Sequence, residues 1–292
     1  MDNRQSGILY ICGTPIGNLS DITLRCLETL KKVDLIAAED TRHTRILLNH
    51  YDIKKPVTSY HDFTTQKKTD YILQKLKEGQ DIALLSDAGM PGLCDPGYEI
   101  INRALENNIT LVPIPGVSAL TTALVISGFP MQNFVFEGFI PRKKGEKEQF
   151  FTRLKEEPRT LIFYETPHRI KETLYTIRKV MGERKIVLAR ELTKIFEEII
   201  RGKLSEVIEY INSKEVKGEI TLVLEGNSAR GDSSIIDNID FRIESELVEK
   251  ITNYLKMGYY NKDIVSLITE EYHITKKWVY EKIIELKKTL LK

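Results

Sequence analysis

The residues best suited to chemistry lie between Ser86 and Gly97, where the sequence SDAGMPGLCDPG directly follows the apolar run Ile82 to Leu85. Gly89, Gly92 and Gly97 let backbone amides approach a ligand closely, and Pro91 and Pro96 hold the segment open. If the apolar run is a buried strand, this loop leaves the carboxyl edge of a sheet, where ligand crevices of α/β proteins form. A tight strand-to-helix connection, with Asp95-Pro96 opening a helix, would leave the same pattern. Neither a nucleotide P-loop nor the dinucleotide fingerprint fits. No G-x-x-x-x-G-K-[ST] loop occurs, and Gly13-x-x-x-Gly17 lacks the spacing of the dinucleotide fingerprint.

The elements that would position this loop alternate between apolar runs and amphipathic stretches, the pattern of a parallel sheet covered by helices. Residues 7–12 predict a first strand, followed by the loop Gly13 to Asn18 and a helix capped by Ser20 or Asp21, with Ile22, Cys26, Leu30 and Val33 on one face. Residues 34–38 predict a second strand, and the polar cluster Glu39, Asp40, Thr41, Arg42 and His43 falls where it hands over to the next helix. Strands are also predicted at 82–85 and 110–114, then at 134–136, 160–164, 186–189 and 220–224. A helix with Thr166 as cap, Pro167 at its first position and Gly182 past its end lies among the later ones. We expect an N-terminal α/β domain over 1–115, a second α/β domain over 116–226 and a linker over 227–240 rich in Gly, Ser, Asn and Asp. Residues 241–292 should form a three-helix unit. In that unit Leu247, Ile251 and Leu255, then Ile264, Leu267 and Ile268, then Val279, Ile283, Leu286 and Leu290 keep helical spacing. Asn261 and Thr275 are its candidate caps, and Trp278 its candidate core anchor.

Composition narrows the partners. The 292 residues are 41% hydrophobic and 29% charged, with 43 Lys+Arg against 42 Asp+Glu, so the chain is globular and does not coat nucleic acid or membrane through bulk charge. Cys12, Cys26 and Cys94 form no C-x-x-C pair, which suggests neither a disulfide framework nor a thiolate metal site, and the expected home is the reducing cytoplasm. No run is long enough for a membrane span.

Eight blocks carry a resemblance: YICGTPIGNLSDIT (10–23), AAEDTRHTRILL (37–48), LLSDAGMPGLCDPG (84–97), PIPGVSALTTAL (113–124), FEGFIPRKKGEK (136–147), FYETPHRI (163–170), LARELTKIFEE (188–198) and GEITLVLEG (218–226). In these blocks and their order the chain resembles the tetrapyrrole methylase superfamily, and within it the branch that methylates ribosomal RNA. The resemblance implies two α/β domains with S-adenosylmethionine between them, a homodimer, and no metal. It also implies methyl transfer to the ribose 2′-hydroxyl of a cytidine in the decoding region of 16S rRNA, within the small ribosomal subunit. Carried over by position, the cofactor pocket would use Pro15, Asp87, Ala88, Gly89, Met90, Ser118, Ala119, Tyr164, Glu219 and Ile220. Backbone amides and an acidic side chain suit a ligand with a carboxylate beside cationic groups. Asp87 could equally serve a loop hydrogen bond, and Tyr164 a core.

Proton removal from a hydroxyl acceptor directs attention to the rim of the second strand. There His43 could act as base, Arg42 could hold phosphate, and Glu39 and Asp40 complete the candidate catalytic group, unless Asp40 or Thr41 caps the helix and Arg42 and His43 pair on its surface. His168 and Arg169 are a reserve pair. Arg142, Lys143, Lys144 and Lys147 form the densest basic run and could follow RNA phosphates from a flexible loop, or be an ordinary solvated surface. The C-terminal unit resembles a helix-turn-helix module. Two other functions fit the sequence: methylation of a tetrapyrrole carbon on the same fold, and nucleic-acid-binding regulation through the helical unit.

Overall fold

The computed structural model describes residues 6–61, 66–227, 241–272 and 276–290. The chain forms two compact units, one comprising residues up to Lys155 together with Thr160–Glu225, the other Glu156–Arg159 with the residues from Gly226 onward.

The first unit begins with a five-stranded sheet of β1 (Ile8–Cys12), β2 (Leu35–Ala38), β3 (Val57–Ser59), β4 (Ile82–Leu85) and β5 (Thr110–Ile114) in the order β3-β2-β4-β1-β5. Every pairing in it is parallel. The strands alternate between two apolar cores as the pleat requires. Leu9, Ile11, Ile82 and Leu84 pack under α3 (Gln66–Lys77) and α4 (Tyr98–Glu106), whereas Cys12, Ala83 and Leu85 pack under α1 (Leu24–Lys32) and α2 (Thr41–His50). The neighbouring strands β1 and β4 therefore send their chains to opposite faces. That is a topological switch point, and a crevice opens between the loops that leave it.

The second sheet contains β6 (Phe134–Phe139), β7 (Thr160–Glu165), β8 (Lys185–Arg190), β9 (Glu198–Lys203) and β10 (Ile220–Leu224) in the order β6-β7-β10-β8-β9. It is mixed: β6 and β7 are parallel, while β10 runs antiparallel to both β7 and β8, and β9 antiparallel to β8. Its Leu161 and Phe163 face α6 (Lys144–Arg153), α7 (Ile170–Met181) and α8 (Leu204–Asn212), and Ile162 and Val187 face α5 (Ala119–Ser127). The boundary expected at residue 115 falls between the sheets, and both sheets belong to one compact unit. In the second unit α9 (Phe241–Lys256), α10 (Asn261–Tyr272) and α11 (Lys276–Leu290) enclose Leu247, Ile251, Ile264, Ile268, Trp278, Val279 and Ile283. Trp278 is thus a core anchor, while Leu267 is exposed. Residues 228–240 of the expected linker and the expected cap Thr275 lie outside the described residues. Among the described residues no helix is long and apolar enough to cross a membrane.

Local details differ from expectation for identifiable reasons. Residues 19–21 form a separate 3-10 turn on the Asn18 side chain, and α1 starts later, with Thr23 Oγ1 accepting from the Cys26 amide. The helix expected from Thr166 starts instead at Ile170. The Glu165 carboxylate takes the Thr166 N–H, and the Thr166 carbonyl accepts from Arg169, closing a turn first. Strands β3 and β9 were not expected, because both are edge strands and neither carries a continuous apolar run.

The first sheet's carboxyl edge is held by backbone contact. Gly13 donates to the Ile114 carbonyl at 3.0 Å, and a Cβ at Gly116 would lie 2.8 Å from the Gly13 backbone. Gly116→Ala should lower unfolding free energy by about 1–3 kcal/mol. Gly145→Ala, in open space on α6, should raise it by about 0.5–1 kcal/mol. Denaturant melts of the two variants read the difference, and equal shifts would contradict the contact.

Candidate active site

A cleft of about 560 Å³ opens where the carboxyl-edge loops of the first sheet meet the end of the second. Ile16 enters from the loop after β1, Ala88, Gly89, Met90, Leu93, Cys94 and Asp95 from the loop after β4, and Ser118 and Ala119 from the start of α5. The second sheet contributes Phe139, the segment Tyr164–Pro167, Glu191, Lys194 and Gly218–Thr221. The strand directions explain this meeting. Because β10 is antiparallel to β7 and β8, its first residue, Ile220, pairs with Glu165 and Arg190, bringing one strand start beside two strand ends.

Each loop is braced. Thr14 and Gly89 exchange backbone hydrogen bonds at 2.8 and 3.1 Å, and the buried Thr14 hydroxyl donates to the Ser86 carbonyl at 3.1 Å. Glu165, 2% exposed, accepts from the Thr166 amide and, at 2.6 Å, from the Thr173 hydroxyl, with Arg169 3.3 Å away. Arg169 in turn donates to the carbonyls of Ile140 and Pro141. Tyr164 stacks edge-on with Phe136 and Phe139, and burial pushes its phenol above the ordinary value against the opposing pull of Ser118 and the Leu120 amide. At the other rim Lys194 binds both Glu191, at 2.9 Å, and Glu219, at 3.0 Å. Burial works to raise the Glu191 carboxyl, but Lys194 and the Glu219 amide outweigh it, and its pKa falls below the ordinary range.

The cleft gathers Ala88, Gly89, Met90, Ser118, Ala119, Tyr164, Glu219 and Ile220, eight of the ten expected cofactor residues. Pro15 and Asp87 are not among its lining. They lie with His43 on a separate cavity of about 60 Å³, also lined by Thr14, Thr44 and Ser86. The Asp87 carboxylate accepts from the Asp40 amide at 3.1 Å, and its own N–H donates to Glu39 at 3.1 Å, so Asp87 acts as a loop hydrogen-bond partner. Asp40 caps α2, accepting from the Arg42 amide and binding the Arg42 guanidinium at 2.6 Å. That guanidinium holds the Asp40 carboxyl well below its usual range. Of the four candidate catalytic residues, His43 is therefore the one whose side chain lines a cavity without serving as cap, loop brace or ion-pair partner of this cluster. Thr166 Oγ1 lies 3.4 Å from His168 Nε2, while Arg169 is occupied by the carbonyls and Glu165.

The basic run requires a correction. It is not a flexible loop, because α6 begins at Lys144, and Lys147 is fully buried beside Phe150 and Phe151 with its ammonium 3.0 Å from Glu172. Lys147 cannot follow RNA from there. The sequence held a signal for this, since Lys147, Phe150 and Phe151 share one helix face at i, i+3 and i+4. Arg142, Lys143 and Lys144 are exposed, with Lys143 paired to Glu146. Glu191, Lys194, Phe139 and the Thr166-Pro167 pair were not anticipated as cleft residues. Their role follows from strand pairings between segments distant in sequence.

Residues 8–208 match the family described as Tetrapyrrole (Corrin/Porphyrin) Methylases. The chain belongs to this methylase family, as the resemblance of its eight sequence blocks had suggested. More particularly, it is similar to "Ribosomal RNA small subunit methyltransferase I" of Thermotoga maritima, 49% identical over 220 residues that are 75% of this chain and 99% of that one. It is also similar to the protein of the same name from Bacillus subtilis, 42% identical over 275 residues, 94% of this chain and 93% of that one. Among solved structures, a cobalt precorrin-4 methyltransferase of cobalamin biosynthesis shares the fold. Its TM-score is 0.56 at 15% identity, over 75% of this chain and 94% of that one.

The Lys147 placement is testable by denaturant unfolding. Lys147→Ala should lose about 2–4 kcal/mol through the cavity it leaves, Lys147→Met should stay within about 1 kcal/mol, and Lys144→Ala within about 0.5 kcal/mol. A Lys147→Ala protein as stable as Lys144→Ala would refute burial.

Proposed function

We propose that the cleft binds S-adenosylmethionine and that the protein methylates the ribose 2′-hydroxyl of a cytidine in the decoding region of 16S rRNA. The reading includes action as a cytoplasmic homodimer on rRNA of the small ribosomal subunit. The observation that carries it is the gathering of eight of the ten expected cofactor residues around one cleft, in a chain whose relatives at 42–49% identity are named for rRNA methylation.

The cleft fits such a donor. Its volume lies within the range of small-molecule sites, and apolar side chains from Ile16, Leu93, Phe139 and Ile220 alternate with backbone of 88–90 and 218–219. The α5 N-terminus carries no side-chain cap from Ser118, so its first-turn amides other than that of Leu120, which is bonded to Tyr164, suit the donor's carboxylate, and Glu219 suits its amino group. When bound, the donor supplies an electrophilic methyl on a sulfonium. The chain's own part is positioning, apolar exclusion of water by Tyr164 and Phe139, and removal of the acceptor's proton, for which an imidazole nitrogen of His43 is the proposed base. Arg142, Lys143 and Lys144 supply exposed charge for phosphates.

Transfer of labelled methyl to small ribosomal subunits and to naked 16S rRNA lacking the modification tests the reading directly. Label on one decoding-region cytidine ribose is expected. Its absence on both, with the cofactor still bound, would redirect the assignment to tetrapyrroles. His43→Ala should slow transfer by about 10²-fold or more while cofactor affinity stays within about twofold. Normal transfer would remove His43 from the mechanism. Joint neutralisation of Arg142, Lys143 and Lys144 should weaken subunit binding and flatten its salt dependence, and an unchanged slope would count against their role.

A further inference from the structure

The loop between β8 and β9 holds two large apolar side chains out in solvent, with Ile195 95% exposed and Phe196 73% exposed. Single exposed apolar residues are common and need no explanation. This pair differs in how it is held. Glu191 and Thr193 both have left-handed backbone, at φ 52° and 67°, and for the β-branched Thr193 that is a genuine strain. The strain is sustained by a dense brace. The Thr193 amide donates to the Glu197 carboxylate at 2.6 Å, the Thr193 hydroxyl accepts from the Asn18 amide at 3.1 Å, and Lys194 is anchored by Glu191 and Glu219. A rigid, strained loop that ends in exposed apolar groups is the kind of feature that function maintains. Its place adds the second observation, since Glu191 and Lys194 of the same loop line the cleft.

From these features we infer that Phe196, assisted by Ile195, stacks on an unpaired base of the acceptor RNA and so positions the nucleotide to be methylated. The inference rests on the rRNA reading above. An aromatic ring exposed on a loop that borders the cleft suits a base splayed out of a single-stranded region, because every base presents a π-face and sequence-specific RNA recognition relies on such stacking. Phosphate is not the target of this loop, as Lys194 is already paired with two carboxylates. Two side chains are also far short of the roughly 800 Å² per partner that a stable protein interface requires. Phe196 is thus a positioning residue for the acceptor, and the donor site should be indifferent to it.

The test uses the full chain, labelled S-adenosylmethionine and small ribosomal subunits lacking the modification. Phe196→Ala should raise KM for the subunits about tenfold, with kcat and donor affinity within about twofold. Phe196→Tyr should restore KM, and Ile195→Ala should have a smaller effect in the same direction. An unchanged KM in Phe196→Ala, with wild-type protein labelling the subunits, overturns the stacking role alone. A change in the solution mass of Phe196→Ala would overturn it in favour of contact between copies of this chain. Failure of the wild-type protein to label any RNA takes down the rRNA reading and this inference together.

Discussion

The cleft depends on backbone groups of the first sheet's loops touching one another without side chains between them. Thr14 and Gly89 pair like two residues of a miniature antiparallel ladder, and Gly13 sits against Gly116 at a distance that admits no Cβ on either. Three loops leaving β1, β4 and β5 are thereby joined into one lip. A parallel sheet alone would not achieve this, because its loops diverge at the switch point to feed helices on opposite faces. The contacts draw the loops back together, and residues 88–90 line the cleft as a consequence. A methyl group at Gly13 or Gly116 would force these backbones apart.

The opposing side is built by a different device. Glu165 is buried at the end of β7 and is held by an amide, a hydroxyl and the Arg169 guanidinium, which also ties down the chain after β6 through two carbonyls. A buried carboxylate is tolerable only when its oxygens are hydrogen-bonded and its charge is matched, and both conditions hold here. The pair contributes less through net stabilisation than by fixing where Tyr164, Thr166 and Pro167 emerge into the cleft.

How much of this was legible in the sequence follows from the same distinction. Strands of a parallel sheet covered by helices read as short continuous apolar runs, so four strands of the first sheet, the partly exposed edge strand β5 included, and the loop from Ser86 to Gly97 could be read from composition and turn chemistry. The three-residue edge strand β3 offered too little pattern. In the second sheet four strands were visible, but not their directions. Without the antiparallel placement of β10, nothing suggested that Glu191 and Lys194 belong beside Glu219. Asp40 showed a possible capping role in type and position, and it caps α2. Lys147 was misread because charge was weighed before helical phase, which places it among phenylalanines.

The division of labour in the cleft bears on why one fold can serve unlike acceptors. On the proposed reading the donor sits against loops braced backbone to backbone, through residues 88–90 and 118–119, and these are indifferent to what lies across the opening. On the proposed reading, acceptor choice would come from side chains outside those loops, among them Phe139 of the cleft, His43 of the separate cavity and the exposed Ile195 and Phe196. Similarity of fold therefore carries no information about the acceptor. All the cleft's lining residues belong to the α/β unit, and three quarters of this chain's length matches 99% of the Thermotoga maritima relative. The helical unit closes a core of its own, so its exposed surface, not its packing, is where any contribution to acceptor binding has to lie.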